Sequence, residues 1–499
     1  MQNLAQSETS PDLKLFGKNA LIYAGGIATL RLASFVLTPL YVYSLTMSDY
    51  GLLAVLSQTF QIMAVFIDMG TKTGFLRFAR EYRLNGDIGT LLGSSLAINM
   101  INGAFVMLIC GSVLMPLMRV ALHTEDVFGS VVLTAGAALC FTMMEQLMSF
   151  YQATHQGGKV ALASLSSATV MIIVSALFLR VFHLGVEGAL LAQIVAYGGC
   201  ALALGFSIVC RTGVRISLSL VRKLYSFGAP LIAVLLRGSV TLGTAFYFLS
   251  YFSGLESVAM YSLGMKIAKI ADMIVILPFQ AAYEPFVYGH KDTAQLRKVI
   301  PRLLSYLLVA FAFVAFAVLF FTPDLLRVIA PPQYAGAWIV VLLILPTGAF
   351  QGVQYVGESL LGISAKTRVT GLVVALTAGF SVLSNYLLIA RWGTYGAIAT
   401  FDAAMIGSAV LVMMYGLRNI PIRLENRRLA VAAALSTWLW VSTALVGRLG
   451  TYVYYAYFPF AVAVGVAAIY ASDVWDDREK MVIRDGLCWI RTKLRVANG

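Results

Sequence analysis

The chain has 499 residues, 60% of them hydrophobic and only 12% charged, with a formal net charge of +13. A soluble chain carries about 25% charged residues, so this composition excludes an ordinary globular enzyme and fits a polytopic membrane protein with short loops. The basic residues lie between apolar runs rather than in one patch, which argues against a nucleic-acid partner and for loop charges under the positive-inside rule. The first eighteen residues, Met1 to Lys18, are polar and carry no cleavable apolar region, so no signal peptide is expected.

About fourteen apolar runs follow, near 20–44, 51–74, 88–117, 127–151, 160–182, 186–210, 225–252, 257–288, 302–322, 338–363, 369–390, 396–417, 429–447 and 451–471. Such runs are helices, because a backbone in lipid must satisfy its own hydrogen bonds. The first run holds Arg31 about 15 Å from its start, near mid-depth of a ~30 Å hydrocarbon layer. A charge there is costly and points to a cavity or a partner rather than to lipid. The turn Thr46-Met47-Ser48-Asp49-Tyr50-Gly51 leads into the second run, which ends in Asp68, Lys72 and a basic exit with Arg77, Arg80 and Arg83.

With the N-terminus inside, most Lys and Arg fall in inside segments. Among them are Arg77 to Arg83, Arg211 to Lys223, Lys291 to Arg302, Arg418 to Arg428 and the tail from Arg478 to Arg495. Outside segments hold only Arg119, Arg180, Arg327, Arg391 and Arg448. Both termini are therefore expected in the cytoplasm. No loop on either side is long enough for a catalytic or nucleotide-binding domain.

The second half repeats the first at an offset of about 206 to 208 residues. Gly185, Gly188 and Ala189 recur as Gly393, Gly396 and Ala397, Pro116 as Pro323, and Arg31 as Arg237. Six spans per half is an even number, so the halves share one orientation. This predicts an all-α protein of two parallel six-helix bundles with a substrate cavity between them, plus two C-terminal helices. The expected divisions are a cytoplasmic N-terminus (1–19), a first bundle (20–212), a cytoplasmic linker (213–224), a second bundle (225–420), helices thirteen and fourteen (421–472) and a basic tail (473–499). In that tail Met481, Leu487, Ile490 and Leu494 recur near helical spacing among bases, as an interfacial helix would have them.

No enzyme signature is present. Gly157-Gly158-Lys159-Val160 resembles the end of a phosphate-binding loop, but position 153 is Ala and 160 is Val, so it is rejected. The four His are scattered, and Cys110, Cys140, Cys200, Cys210 and Cys488 show no CxxC spacing, so neither a metal nor a cofactor is expected. The informative groups are charges inside spans. Asp68 and Lys72 are spaced i,i+4, and Lys269 and Asp272 i,i+3, so each pair can neutralise locally. Glu145, Glu358 and Asp402 are further acids within spans. Arg31, Arg237 and Lys266 are deep and have no acid one turn away, the pattern of an electropositive cavity for an anion.

Four motifs, in order, resemble the polysaccharide flippases of the multidrug/oligosaccharidyl-lipid/polysaccharide exporter superfamily. They are Asp49-Tyr50-Gly51, Gly185-Val186-Glu187-Gly188-Ala189, Phe227-Gly228-Ala229-Pro230-Leu231 and Val258-Ala259-Met260-Tyr261-Ser262, with Ala259 where the pattern has Gly. The resemblance implies a MATE-like, V-shaped twelve-helix core with two extra helices, in a bacterial inner membrane. It implies transfer of undecaprenyl-pyrophosphate-linked oligosaccharide to the outer leaflet by alternating access, reset by an H⁺ or Na⁺ gradient. Membrane lipids, a polysaccharide polymerase and chain-length machinery would be its partners. Arg31, Arg237 and Lys266 fit the anion seat, and Asp68, Glu145, Asp272, Glu358 and Asp402 fit the coupling acids. A drug/cation antiporter of the same superfamily is the alternative, and a membrane glycosyltransferase or polymerase a more distant one.

Overall fold

The computed structural model describes residues 35–110, 112, 115–122, 127–289, 293–364, 366–422, 425–446 and 451–471. Among the described residues every regular element is helical, and helix lies on each of the expected apolar runs. Nine helices among them are long and apolar enough to cross a membrane, and shorter apolar helices accompany them. The chain is a multi-pass membrane protein. Much of Arg31's span and the basic tail from residue 473 lie outside the described residues.

The first described helix is α1 (Phe35–Ser44). It is followed by α2 (Met47–Asp68), α3 (Thr71–Leu84), α4 (Ile88–Ile109), α5 (Met115–Leu122), α6 (Phe128–Ala153), α7 (Gly157–Arg180) and α8 (Gly185–Thr212). Next come α9 (Leu218–Gly228), α10 (Ile232–Ser253), α11 (Leu255–Ala271), α12 (Leu277–Gly289) and α13 (Thr293–Ile329). The last six are α14 (Ala337–Ile344), α15 (Gly348–Ile363), α16 (Thr367–Trp392), α17 (Thr394–Asn419), α18 (Asn426–Val446) and α19 (Thr451–Ala471).

Two compact units emerge. Unit 1 holds residues 1–263, 326–337 and 371–404, and unit 2 holds 264–325, 338–370 and 405–499. In unit 1, Phe75 of α3, Leu91, Leu92 and Ile98 of α4, and Met144 and Phe150 of α6 build a core closed by Ile208, Leu220 and Leu224. Residues 213–217 lie flush on α4. A Cβ added at Gly89 would stand 2.2 Å from the Gly213 carbonyl oxygen, and one at Gly93 2.3 Å from that of Arg215. Glycine four residues apart thus opens a groove that admits another backbone. The Ser217 N–H donates to Ser94 Oγ at 3.0 Å and fixes the chain there. From this point α9 packs on α3 and α4 and buries Leu220, Leu224 and Gly228 at helical spacing.

In unit 2, Phe316 and Phe320 of α13 pack with Leu435 and Leu439 of α18 and Ala461 of α19. Phe458 stacks on Phe316 with centroids 5.3 Å apart. Trp440 Nε1 donates to the Leu342 carbonyl at 2.7 Å, so α18 is also tied to α14. Between α11 and α12 the backbone makes one π-helical turn, Asp272–Ile276. Pro278 explains it: proline has no N–H to give and its ring crowds the carbonyl of Ile274, so the preceding turn widens.

Candidate functional site

The second span is not one helix. It runs as α2 to Asp68, breaks at Met69 and Gly70, and resumes as α3. Both break residues are left-handed, with φ of +43° and +74°. That conformation is easy for Gly70 and costs a methionine about 1–2 kcal/mol, so the surroundings must hold it. They do so with hydrogen bonds. The Asp68 carboxylate accepts from Gly70 N–H at 3.2 Å, the Thr71 hydroxyl at 2.9 Å and Lys72 N–H at 3.1 Å. It thereby satisfies donors that the start of α3 leaves open. On the other side, Asn102 Nδ2 donates to the Ile67 carbonyl at 3.0 Å, and the Tyr225 hydroxyl donates to Asn102 Oδ1 at 2.5 Å. The buried Asn99 Oδ1 lies 2.8 Å from Thr71 Oγ1. A break in α2–α3, two asparagines of α4 and a tyrosine of α9 therefore form one polar assembly inside unit 1.

Lys72 opens this assembly to an acid on another helix. Its ammonium pairs with Glu145 of α6, with side-chain exposures of 34% and 22%. Tyr197 of α8 is within electrostatic reach of Glu145. The sequence reading paired Lys72 with Asp68 one turn away. The break turns the ammonium away from a direct contact with that carboxylate, because an i,i+4 stack requires an unbroken helix. The backbone N–H of Lys72 still donates to Asp68, and its charge stays within electrostatic reach of that carboxylate.

Unit 2 carries a related arrangement on its own second span. Lys269 Nζ donates to Asp272 Oδ2 at 2.6 Å, the expected i,i+3 pair, and to Gln351 Oε1 of α15 at 3.2 Å. Gln351 follows Glu145 by about 206 residues, within the repeat offset. In each half a lysine of the second span thus reaches the same position of the fourth, although Lys269 follows Lys72 by only 197 residues and the two lysines are not equivalent in the repeat. The acid is across the helix pair in the first half and on the lysine's own helix in the second.

The remaining expected site residues fall as follows. Arg31 lies outside the described residues, and Arg237 is placed only by its backbone, within α10. Lys266 is half-buried on α11. Glu358 accepts from Gln354 Nε2 at 2.9 Å on α15. Asp402 of α17 is half-buried within electrostatic reach of Tyr261. Within unit 1 the structure brings Asp68, Lys72 and Glu145 together, and within unit 2 Lys269, Asp272 and Gln351. Sequence reasoning missed Thr71, Asn99, Asn102, Tyr225 and Gln351. The signal for the asparagines was present, since Asn99 and Asn102 sit i,i+3 in an otherwise apolar span and share one helix face.

Comparison with known proteins fits this architecture. The solved lipid II flippase MurJ in an inward closed conformation superposes with a TM-score of 0.69 at 10% identity, covering 95% of this chain and 98% of that one. An inward-facing MATE-family multidrug resistance transporter of the MOP superfamily matches with a TM-score of 0.64 at 13% identity, over 82% of this chain and 94% of that one. The fold is therefore the one these transporters share. An uncharacterised membrane protein of Methanocaldococcus jannaschii, MJ1068, is 21% identical over 393 residues, 74% of this chain and 77% of its own length. Residues 16–287 match the sequence model described as "Polysaccharide biosynthesis protein". That match spans more than half of the chain, and the protein belongs to the polysaccharide biosynthesis protein family.

Proposed function

We propose that this protein is a flippase that carries polyprenyl-pyrophosphate-linked oligosaccharide from the cytoplasmic to the outer leaflet of a bacterial inner membrane, for polysaccharide synthesis. The observation that carries the reading is the lipid II flippase fold, over nearly the whole chain, in a member of a polysaccharide biosynthesis family. A polysaccharide made from lipid-linked units needs a step that moves the headgroup across the bilayer. In this reading the two six-helix bundles alternate access to a cavity, and an ion gradient resets them.

The chemistry of the cargo sets the demand on the site. A pyrophosphate stripped of water in the membrane interior needs compensating charge. Arginine supplies a planar, permanently charged fork that binds phosphate oxygens two at a time. We assign that role to Arg31 and Arg237, equivalent in the repeat, with Lys266 as a further cation. Each charge-assisted contact is worth about 1.5–3 kcal/mol. Arg31→Gln or Arg237→Gln should therefore weaken engagement about tenfold to a hundredfold and abolish export at normal membrane abundance. Arg→Lys should retain part of it. The assay is polysaccharide export in cells, beside binding of the lipid-pyrophosphate oligosaccharide to purified protein. Unchanged transport and binding in the double Gln variant would overturn the anion seat.

A further inference from the structure

We propose that α12 and α15 of unit 2 form a glycan subsite for a neutral sugar unit, with Gln280, Glu284, Gln351, Gln354 and Glu358 as its polar face. The inference rests on the flippase reading and names the class of sugar that the lipid-linked cargo carries.

The first observation is periodicity. Gln351, Gln354, Tyr355 and Glu358 stand at i, i+3, i+4 and i+7, so they share one face of α15. That helix ends the apolar span Pro332–Ile363. At ~1.5 Å per residue Gln351 lies about 18 Å before the end of the span, and the stripe is about 10 Å long. Gln351, Tyr355 and Glu358 are half-buried rather than sealed in the core. Partly exposed polar groups inside a membrane span face water or cargo and not lipid.

The second observation is how these groups are paired. Gln354 Nε2 donates to Glu358 Oε1 at 2.9 Å, and on α12 Gln280 Nε2 donates to Glu284 Oε1 at 2.9 Å. Both are amide–carboxylate pairs at i,i+4, and each runs along its own helix. Polar residues that glue membrane helices together reach across to a neighbour. Here that task falls to Tyr283 and Ser359, whose side-chain oxygens lie 2.9 Å apart. The two pairs therefore do not make the joint between α12 and α15. Each presents an amide and a carboxylate side by side, already oriented.

The chemistry of the pairs names the ligand. A sugar hydroxyl both donates and accepts, so neighbouring hydroxyls can give to carboxylate oxygens and take from amide N–H groups. An ionised carboxyl group on the sugar only accepts, and it would meet Glu284 and Glu358 as like charges. Lys269, the cation that reaches Gln351, is itself engaged by Asp272. The face thus accepts a neutral hexose or N-acetylhexosamine and disfavours a uronic acid.

The test measures binding to purified protein in detergent with three probes. They are a polyprenyl pyrophosphate without sugar, the same lipid carrying a neutral disaccharide, and the same lipid carrying a disaccharide with a uronic acid. The neutral disaccharide should tighten binding at least tenfold over the bare lipid, and the uronic acid form should not. Gln280→Leu and Gln354→Leu should each reduce that gain about twofold to tenfold, as loss of a neutral hydrogen bond does, and the double Leu variant should abolish it. Glu284→Gln/Glu358→Gln keeps the shape and removes the charge, so it should bind the uronic acid form about tenfold more tightly than the wild type does. A purely structural role would weaken binding of the bare lipid equally. Such an equal loss, no gain from the neutral disaccharide, a gain left intact in the double Leu variant, or a wild type that prefers the uronic acid form would overturn the subsite and leave the flippase reading standing. A wild type that binds none of the three lipids would overturn the flippase reading, and the subsite with it.

Discussion

Lys72 sends its ammonium to Glu145 on α6 rather than to the carboxylate four residues before it. Breaking such a pair from one side strands the other charge, a loss of 3–5 kcal/mol when fully buried. These two side chains keep part of their exposure, so Lys72→Met or Glu145→Gln alone should cost about 1–2 kcal/mol. The double variant Lys72→Met/Glu145→Gln should recover most of that cost, because neither charge is then left without its partner. Thermal midpoints of the two single variants and the double variant in detergent measure the coupling. An additive double variant would show that the two charges act independently. Both residues were legible in the sequence as charges inside apolar spans; their partnership was not. Helical spacing assumes a continuous helix, and Met69-Gly70 gives little warning that this one stops. Lys269 and Asp272 were paired correctly, because α11 runs on to Ala271 and the helical geometry holds.

At the scale of elements, two helix breaks meet in unit 1. The turn Ala229–Leu231, which carries Pro230, separates α9 from α10, and Gly228 just before it lies on the Met69–Gly70 break. A Cβ at Gly228 would stand 2.1 Å from the Met69 carbonyl oxygen. That neighbour is backbone and cannot swing aside as a side chain could. Gly228→Ala should therefore lower stability by about 1–3 kcal/mol, the range for forced overpacking. Gly158→Ala, with nothing within 4 Å, should leave the protein unchanged. Melting of the two variants side by side checks the contrast. The motif Phe227-Gly228-Ala229-Pro230-Leu231 was readable as a pattern. The reason for its glycine is a carbonyl far away in sequence, which no local window contains. The groove at Gly89 and Gly93 is the same kind of feature, a tertiary contact recorded as two glycines four apart.

For the whole molecule, composition and the run of apolar segments were enough to give a helical, multi-pass protein, and the resemblance carried by the four motifs gave its transporter fold. Only the first of these follows from what a lipid layer demands of any backbone. Orientation rests on the charges of the connections and has a direct test. A cysteine at Ser219, in a background lacking the native thiols, should resist a membrane-impermeant maleimide in intact cells and react after the membrane is opened. Labelling of intact cells would reverse the assigned topology. The way the units draw on the chain was not legible, because the apolar runs look alike and do not say which neighbours they choose.

Unit 1 is completed by segments from late in the chain. Tyr334 lies edge-on to Tyr50 with centroids 6.0 Å apart, and the Asn385 amide donates to Thr244 Oγ1 at 2.9 Å. A ribosome feeding this chain into the membrane from its N-terminus delivers α1 to α10 before those partners exist. The early helices must wait, with polar and aromatic faces unsealed, until Ala404 has been made. During that interval another nascent chain could claim the same faces, since incompletely packed intermediates are prone to misassembly. Biogenesis of this protein thus depends on whatever shelters the half-made bundle, and its yield should be sensitive to the pace of translation between Gly264 and Ala404.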